Sequence, residues 1–294
     1  MITKPTIAAP LPVTLLRCVV AVAVAAVVLW SYRSTLDALV SRWAGEQDYI
    51  YGFLVPPFAA ILLWTRRAML HEGRSLSGSY WGYFFLACCF AMRLAGAYLS
   101  TSLIDAVSLV PCLAGLTLLG LGWPGLRWAW PAIIFLVFMV PLPEPLAVLL
   151  SQPLQDVGAS TSTYLLQTLG IPALAHGNII VLSHNHMGVE EACSGLRMLM
   201  LFLAVCTGAA LLMDREGWEK VVLVLSAAPI AVIANVIRIT VTGVLYEKVG
   251  PDLAYTVFHD LAGYFMMPLA VILLWMEMML LSLLFPPASG ETWS

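Results

Sequence analysis

A thiol flanked by acids, just before an apolar helix, is the strongest chemical signal in this chain. Cys193 closes the run Gly177–Gly195 (GNIIVLSHNHMGVEEACSG), the one stretch where acids, histidines, a turn and a cysteine crowd together. The hydrophobic segment Leu196–Met213 follows, so Ser194 and Gly195 mark the start of a helix. A helix N-terminus presents unpaired N–H groups and partial positive charge, which lower a thiol's pKa. The same N–H groups can hold a developing oxyanion. Cys193 therefore reads as a nucleophile at a membrane surface. Glu191, with Glu190 beside it, works against thiolate formation, so a cation has to help. The other cysteines (Cys18, Cys88, Cys89, Cys112 and Cys206) lie inside apolar runs, with no CxxC and no zinc spacing.

Arg238 is the candidate cation. It lies in APIAVIANVIRITVTGVLY, some eight residues from the outer end of its helix, or ~12 Å at 1.5 Å per residue. An arginine at that depth is costly and marks function by default. The competing readings are a snorkelling side chain or a buried structural pair. Asn235, Arg238 and Thr242 share one helix face by their spacing of three and four, which suits a polar stripe turned into a bundle. His259 opens the last apolar segment in FHDLAGYF, with Asp260 beside it. A histidine within reach of a cysteine supplies the base and then the acid for a leaving amine. A structural interfacial histidine is the plainer alternative.

His184 and His186, with Glu190 or Glu191, invite a metal reading. Their spacing fits a strand rather than the HExxH helix of a metalloprotease, and a polar turn is the expected role. Arg93 and Asp105 are expected to form a structural ion pair.

These residues need a scaffold, and the composition says which kind. The 294 residues are 61% hydrophobic and 11% charged, with a net charge of −3 and a mean hydropathy of +0.91. Soluble domains carry about 25% charged residues, so the expected solvent is the bilayer. No basic stripe exists to meet phosphates, which excludes a nucleic-acid partner. Spanning helices need about 20 mainly apolar residues. Leu11–Trp30 (an uncleaved first helix rather than a signal peptide), Tyr49–Thr65, Tyr80–Ser100, Leu103–Leu121, Trp128–Val140, Leu196–Met213, Val221–Tyr246 and Leu261–Phe285 qualify. The expected fold is an all-α integral membrane protein of about eight transmembrane helices, forming one multi-pass domain over residues 1–294.

Arg66, Arg67, Arg74, Arg127, Arg215 and Lys220 mark the cytoplasmic connections. No Lys or Arg occurs between Trp128 and Leu196, so an insert over about 142–195 is expected outside. Arg33, Arg42 and Lys248 weaken that bias without reversing it. Within the insert, Pro141, Pro143 and Pro145 stop a helix. Leu146–Leu169 reads as an amphipathic helix on the outer surface or capping the bundle. Asn178–Ser183 and Met187–Ala192 read as a small β-hairpin before Cys193. This topology brings Cys193, Arg238 and His259 to one membrane face.

Three blocks, EACSGLR at Glu191–Arg197, NVIRIT at Asn235–Thr240 and FHDLAGY at Phe258–Tyr264, closely resemble the signature blocks of the exosortases and related archaeosortases. PLPEPL at Pro141–Leu146, GNII at Gly177–Ile180 and YIYGFLVP at Tyr49–Pro56 are weaker echoes, and the resemblance runs in order along nearly the whole chain. In one place this chain departs from the pattern: Tyr51 stands where the family's early block usually carries histidine. The resemblance implies a membrane cysteine protease or transpeptidase, a thiol enzyme of the bacterial cytoplasmic (inner) membrane with its site facing the periplasm. It implies a role in protein sorting, on membrane-anchored proteins that end in a short Pro-Glu-Pro-like motif, a transmembrane helix and a basic tail. Carried over by motif, Cys193 is the nucleophile, Arg238 the activating or oxyanion-stabilising cation, and His259 the acid/base. Glu191, Ser194, Gly195, Asn235 and Asp260 are in support. No cofactor or metal is called for, and an acceptor of unknown identity receives the cleaved chain. The rival readings are a multi-pass transporter or polysaccharide-export component without covalent catalysis, and a metalloprotease using His184, His186 and Glu190.

Overall fold

The computed structural model describes residues 13–71, 79–183, 186–188, 195–213, 215–250, 272–273 and 275–279. Helix dominates. The chain opens with α1 (Val13–Ser31) and α2 (Arg33–Gly45), which meet at a bend of 64°. The α2 region was expected to be an external loop because it carries Arg33 and Arg42. It is helical because those charges are held in i,i+4 pairs, Arg33 with Asp37 and Arg42 with Glu46. The opposite face of α2 buries Thr35, Leu39 and Trp43.

A 3-10 helix (Gln47–Leu54) then leads into α3 (Val55–Thr65). The expected single helix over this stretch is broken for a chemical reason. Pro56 and Pro57 have no N–H to return to the carbonyls four residues earlier, so an α ladder cannot run through them from Gln47, and α3 starts afresh at Val55 with both prolines in its first turn. Gly52 is obligatory here, because any side chain would run into the Trp43 indole. That indole donates to the Met139 carbonyl at 2.9 Å and locks α2 to a distant part of the chain.

The next elements are α4 (Ser79–Leu99), α5 (Ser102–Val107) and α6 (Leu109–Phe135), followed by a 3-10 turn at Leu136–Met139. Two spans were expected here, Leu103–Leu121 and Trp128–Val140, and the helical run of α5, α6 and this turn is divided between them at Gly122. The run is not straight. At Gly122 the backbone has φ 68° and ψ −162°, a region essentially open only to glycine. Ala106 near one end of the run and Val140 just past the other line the same cavity of about 630 Å³. The run therefore doubles back at Gly122. Its first limb packs on α4, where Gly82 meets Leu119 and Gly115 meets Leu86. Its second limb packs on α3, with Trp128 donating to the Leu63 carbonyl and Phe58 stacked near Phe135. Gly122→Ala is expected to cost about 1–3 kcal/mol of backbone strain. It should lower the yield of detergent-extracted protein and its unfolding temperature, and a wild-type melting curve would contradict the reversal.

A half-buried polar knot ties the α1–α2 junction to α4 and α5. Arg93 pairs with Asp105 at 3.1 Å, as expected, and donates to the Ser31 hydroxyl and carbonyl at 2.7 and 2.8 Å. Asp105 also accepts from Thr35, and the Tyr32 and Ser108 hydroxyls share a bond at 2.7 Å. Every charge in the knot has a partner, the condition under which such groups are tolerated away from water.

After an extended Pro141–Pro143 strip comes α7 (Glu144–Thr168). It does more than lie on a surface, because it packs side by side with a later helix through small residues. Three short strands follow: β1 (Ala173–His176), β2 (Ile179–Leu182) and β3 (His186–Gly188), in an antiparallel sheet ordered β1-β2-β3. Gly177, with φ 60°, makes the tight turn between β1 and β2. β1 was not anticipated, since ALAH has little strand character. β2 pairs with β3 so that Ile180 faces Met187, whereas the continuation expected to Ala192 lies outside the described residues. One sheet face buries Ala173, Ile180, Leu182 and Met187 against Leu166 of α7.

Next come α8 (Gly195–Leu212), α9 (Gly217–Leu225) and α10 (Ala227–Val249). Among the described residues, three helical runs are long and apolar enough to cross a membrane, Asp48–Thr65, Ser102–Met139 and Gly217–Lys248, and a fourth if the bent α1–α2 pair counts as one. α8 is a shorter apolar helix. Of the expected Leu261–Phe285 span, residues 272–273 and 275–279 are described and helical.

Candidate active site

The geometry of the site rests on the pairing of α8 with α9 and α10. Only four residues separate Leu212 from Gly217, so the two arms run antiparallel. Their shared core holds Met198, Phe202, Cys206 and Ala210 of α8, and Leu223, Ala227, Ile230, Ala231 and Ala234 of the other arm. Each set is a stripe at one-turn spacing. One turn beyond Ala234 on α10 is Arg238. One turn before Met198 on α8 is Gly195, the first helical residue. Counting equal turns along both arms from that shared core puts Arg238 at the level of the α8 N-terminus.

Arg238 lies midway along α10, ~16 Å from either end at 1.5 Å per residue. It is deeper within its helix than the sequence suggested, because α10 continues to Val249. Its depth matches α8 because α8 is the shorter arm. The side chain does not snorkel, being only 7% exposed. Ile233, Ile237 and Val241 form the outward face of α10, while Asn235, Arg238, Ile239 and Thr242 are buried on the inward side. The stripe of polar residues does turn into the bundle. Thr242 spends its hydroxyl on the Arg238 carbonyl at 2.8 Å.

Asn235, 2% exposed, has no hydrogen-bond partner for either side-chain amide atom among the described residues. α7 presses close beside it. A methyl group at Gly158 would stand 3.3 Å from the Asn235 Nδ2 and 3.0 Å from Ile239 Cδ1. Ser162 of α7 donates to the Val236 carbonyl at 3.2 Å. Ile239, next to Arg238, shares its cluster with Ile180 and Met187 of the sheet. The strands pack on α7, and α7 in turn packs on α10 beside the arginine.

Of the residues singled out in the sequence, Gly195, Asn235 and Arg238 lie among the described residues. Cys193, Ser194, Glu191, His259 and Asp260 lie outside them, as do His184 and Glu190 of the metal reading. His186 pairs with Val181 across β2 and β3, with its side chain exposed. Among the described residues no group of three His, Cys, Asp or Glu side chains is placed to hold a metal ion.

One pair was missed in the sequence. Arg197, in the first turn of α8, binds Asp48 of the 3-10 helix through Nε at 3.2 Å and an Nη at 3.0 Å. A cation so near a helix N-terminus opposes the helix dipole, and Asp48 offsets it while fixing where α8 begins. The only sequence hint was that both residues fall in or beside the recurring blocks EACSGLR and YIYG. The pair is partly exposed, so its net stabilisation is at most about 1 kcal/mol. Misplacing a reacting group by 1 Å can cost about 100-fold in rate. Asp48→Ala should therefore lower turnover about ten-fold or more while moving the unfolding temperature only slightly. Wild-type turnover would reduce the pair to a surface contact.

The fold and this buried polar cluster define a helical membrane protein with an arginine set inside a span, level with the start of a neighbouring helix. The chain belongs to the transmembrane exosortase family, whose model (Exosortase_EpsH) matches residues 43–276. The matched range takes in Asp48, Cys193, Arg238 and His259. No curated protein and no solved structure matches the chain.

Proposed function

We propose that this protein is a membrane cysteine transpeptidase that cleaves C-terminal sorting signals on the outer face of the bacterial inner membrane. Cys193, Arg238 and His259 form its reacting set. The observation that carries the reading is the register of the helical hairpin, in which Arg238 stands level with the α8 N-terminus two residues after Cys193. The sheet adds support. The chain leaves β3 in the cluster that holds Ile239 and re-enters helix at Gly195, with Cys193 among the six residues between Gly188 and Gly195. Membership of the exosortase family supports sorting-signal processing as the task.

The substrate's transmembrane tail lies beside the bundle with its motif at the site. The Cys193 thiolate attacks a backbone carbonyl carbon. Arg238, the N–H groups at the start of α8 and the unpaired carboxamide of Asn235 hold the oxyanion. The C–N bond breaks as His259 protonates the departing amine, which stays on the membrane-embedded tail. Asp260 orients that imidazole, and Glu191 sets how strongly the thiolate depends on Arg238. The released protein is held as a thioester. Water or an acceptor amine or hydroxyl then attacks, giving its proton to His259 and returning Cys193 as thiolate.

The test uses purified enzyme and a membrane reporter ending in a Pro-Glu-Pro-type motif, a transmembrane helix and a basic tail. N-Ethylmaleimide should stop cleavage and a chelator should leave it unchanged. Inhibition by the chelator alone would favour the His184, His186 and Glu190 metal reading. No cleavage of any such reporter, with transport activity insensitive to thiol reagents, would favour a carrier.

A further inference from the structure

We infer that Tyr51 is a substrate-contacting residue, its phenol hydroxyl hydrogen-bonding the bound peptide beside the N-terminus of α8. The inference rests on the transpeptidase reading of that site. The 3-10 helix carrying Tyr51 is otherwise tied down at every polar group that can be followed. Asp48 binds Arg197, the Tyr49 hydroxyl donates to the Leu142 carbonyl at 3.5 Å, and the Trp43 indole lies over Gly52 and donates to Met139. Tyr51 alone breaks the rule. Its ring is only 3% exposed, yet its hydroxyl is buried with no hydrogen-bond partner among the described residues. Buried tyrosine hydroxyls normally find one.

The ring sits in the same core cluster as Leu196 and Met200, on the first two turns of α8. With Asp48 clasping Arg197, the 3-10 helix is fixed against the end of α8 that follows Cys193. Packing alone does not explain the hydroxyl, since phenylalanine would fill the same space without burying an unpaired polar atom. A peptide substrate supplies both carbonyl acceptors and N–H donors, and a phenol can serve either. The group is then paired only when substrate is bound. Such a contact favours the correct ligand and stays unsatisfied without it.

Tyr51→Phe separates this role from packing. Removing an unpaired buried hydroxyl should leave the unfolding temperature of the purified protein unchanged or raised. If the hydroxyl contacts substrate, kcat/KM for the Pro-Glu-Pro-type reporter should fall about ten-fold or more. Wild-type kcat/KM in Tyr51→Phe would overturn the inference. Photo-crosslinking the same reporter to enzyme in a Cys193→Ala background reads binding without chemistry. There Tyr51→Phe should reduce capture by a similar factor, and undiminished capture would overturn the inference while leaving the cysteine reading intact. Continued cleavage by Cys193→Ala would overturn the cysteine reading instead, with the capture comparison still deciding the role of Tyr51.

Discussion

Cys193→Ala should abolish cleavage of a cognate sorting signal, by a factor on the order of 10⁴ or more, while the protein reaches the membrane in normal amount. The magnitude follows from the role. Removing a covalent nucleophile leaves only binding and oxyanion stabilisation, and single deletions in such a unit cost as much as removing the whole set. The membrane level should hold because cysteine and alanine differ by a single sulfur atom, and the described stripe that packs α8 on α10, from Met198 to Ala210, is untouched. Pulse-labelled reporter, followed for loss of its tail, checks the activity, and immunoblotting of membranes checks the level. Cleavage persisting in the variant would remove Cys193 from the mechanism.

Arg238→Met is the second large effect. The guanidinium is buried midway along a spanning helix and is engaged in an interaction there. Removing one partner of a buried charged contact is destabilising, by about 3–5 kcal/mol. The unfolding temperature should therefore fall, and activity is compared per amount of folded protein in the membrane. Activity should fall about 100- to 1000-fold, the usual cost of one oxyanion donor. Arg238→Lys keeps the charge but loses the planar fork, so it should recover only part of that loss. Wild-type turnover in Arg238→Lys would show that charge alone matters. Wild-type turnover in Arg238→Met would make Arg238 a packing residue.

Much of this arrangement could be read from side-chain type and spacing. Asn235, Arg238 and Thr242 fall on one helix face by arithmetic, and the structure buries all of them on the side opposite Ile233, Ile237 and Val241. The Arg93–Asp105 pair followed from two opposite charges near the ends of consecutive apolar runs. Other features depended on contacts that no local pattern encodes. The helical state of α2 was hidden because its arginines look like loop residues until their i,i+4 partners and the buried Trp43 are seen. The reversal at Gly122 sits in GLGWPGL, where glycine and proline signal a break but not the direction in which the second limb leaves it. Asp48 and Arg197 are remote in sequence, and only the packing of the 3-10 helix on α8 brings them together. The depth of Arg238 was underestimated because hydropathy fades at Tyr246 while the helix goes on to Val249.

The central claim is that a sulfur next to the α8 terminus carries the cleaved chain. The measurement that reaches it most directly is acid quenching of wild-type enzyme during turnover of the reporter, followed by peptide mapping by mass spectrometry. The account predicts an acyl group on Cys193, removed by hydroxylamine and absent when Arg238→Met is treated in the same way. Product accumulating while Cys193 stays unmodified at every quench time would contradict it.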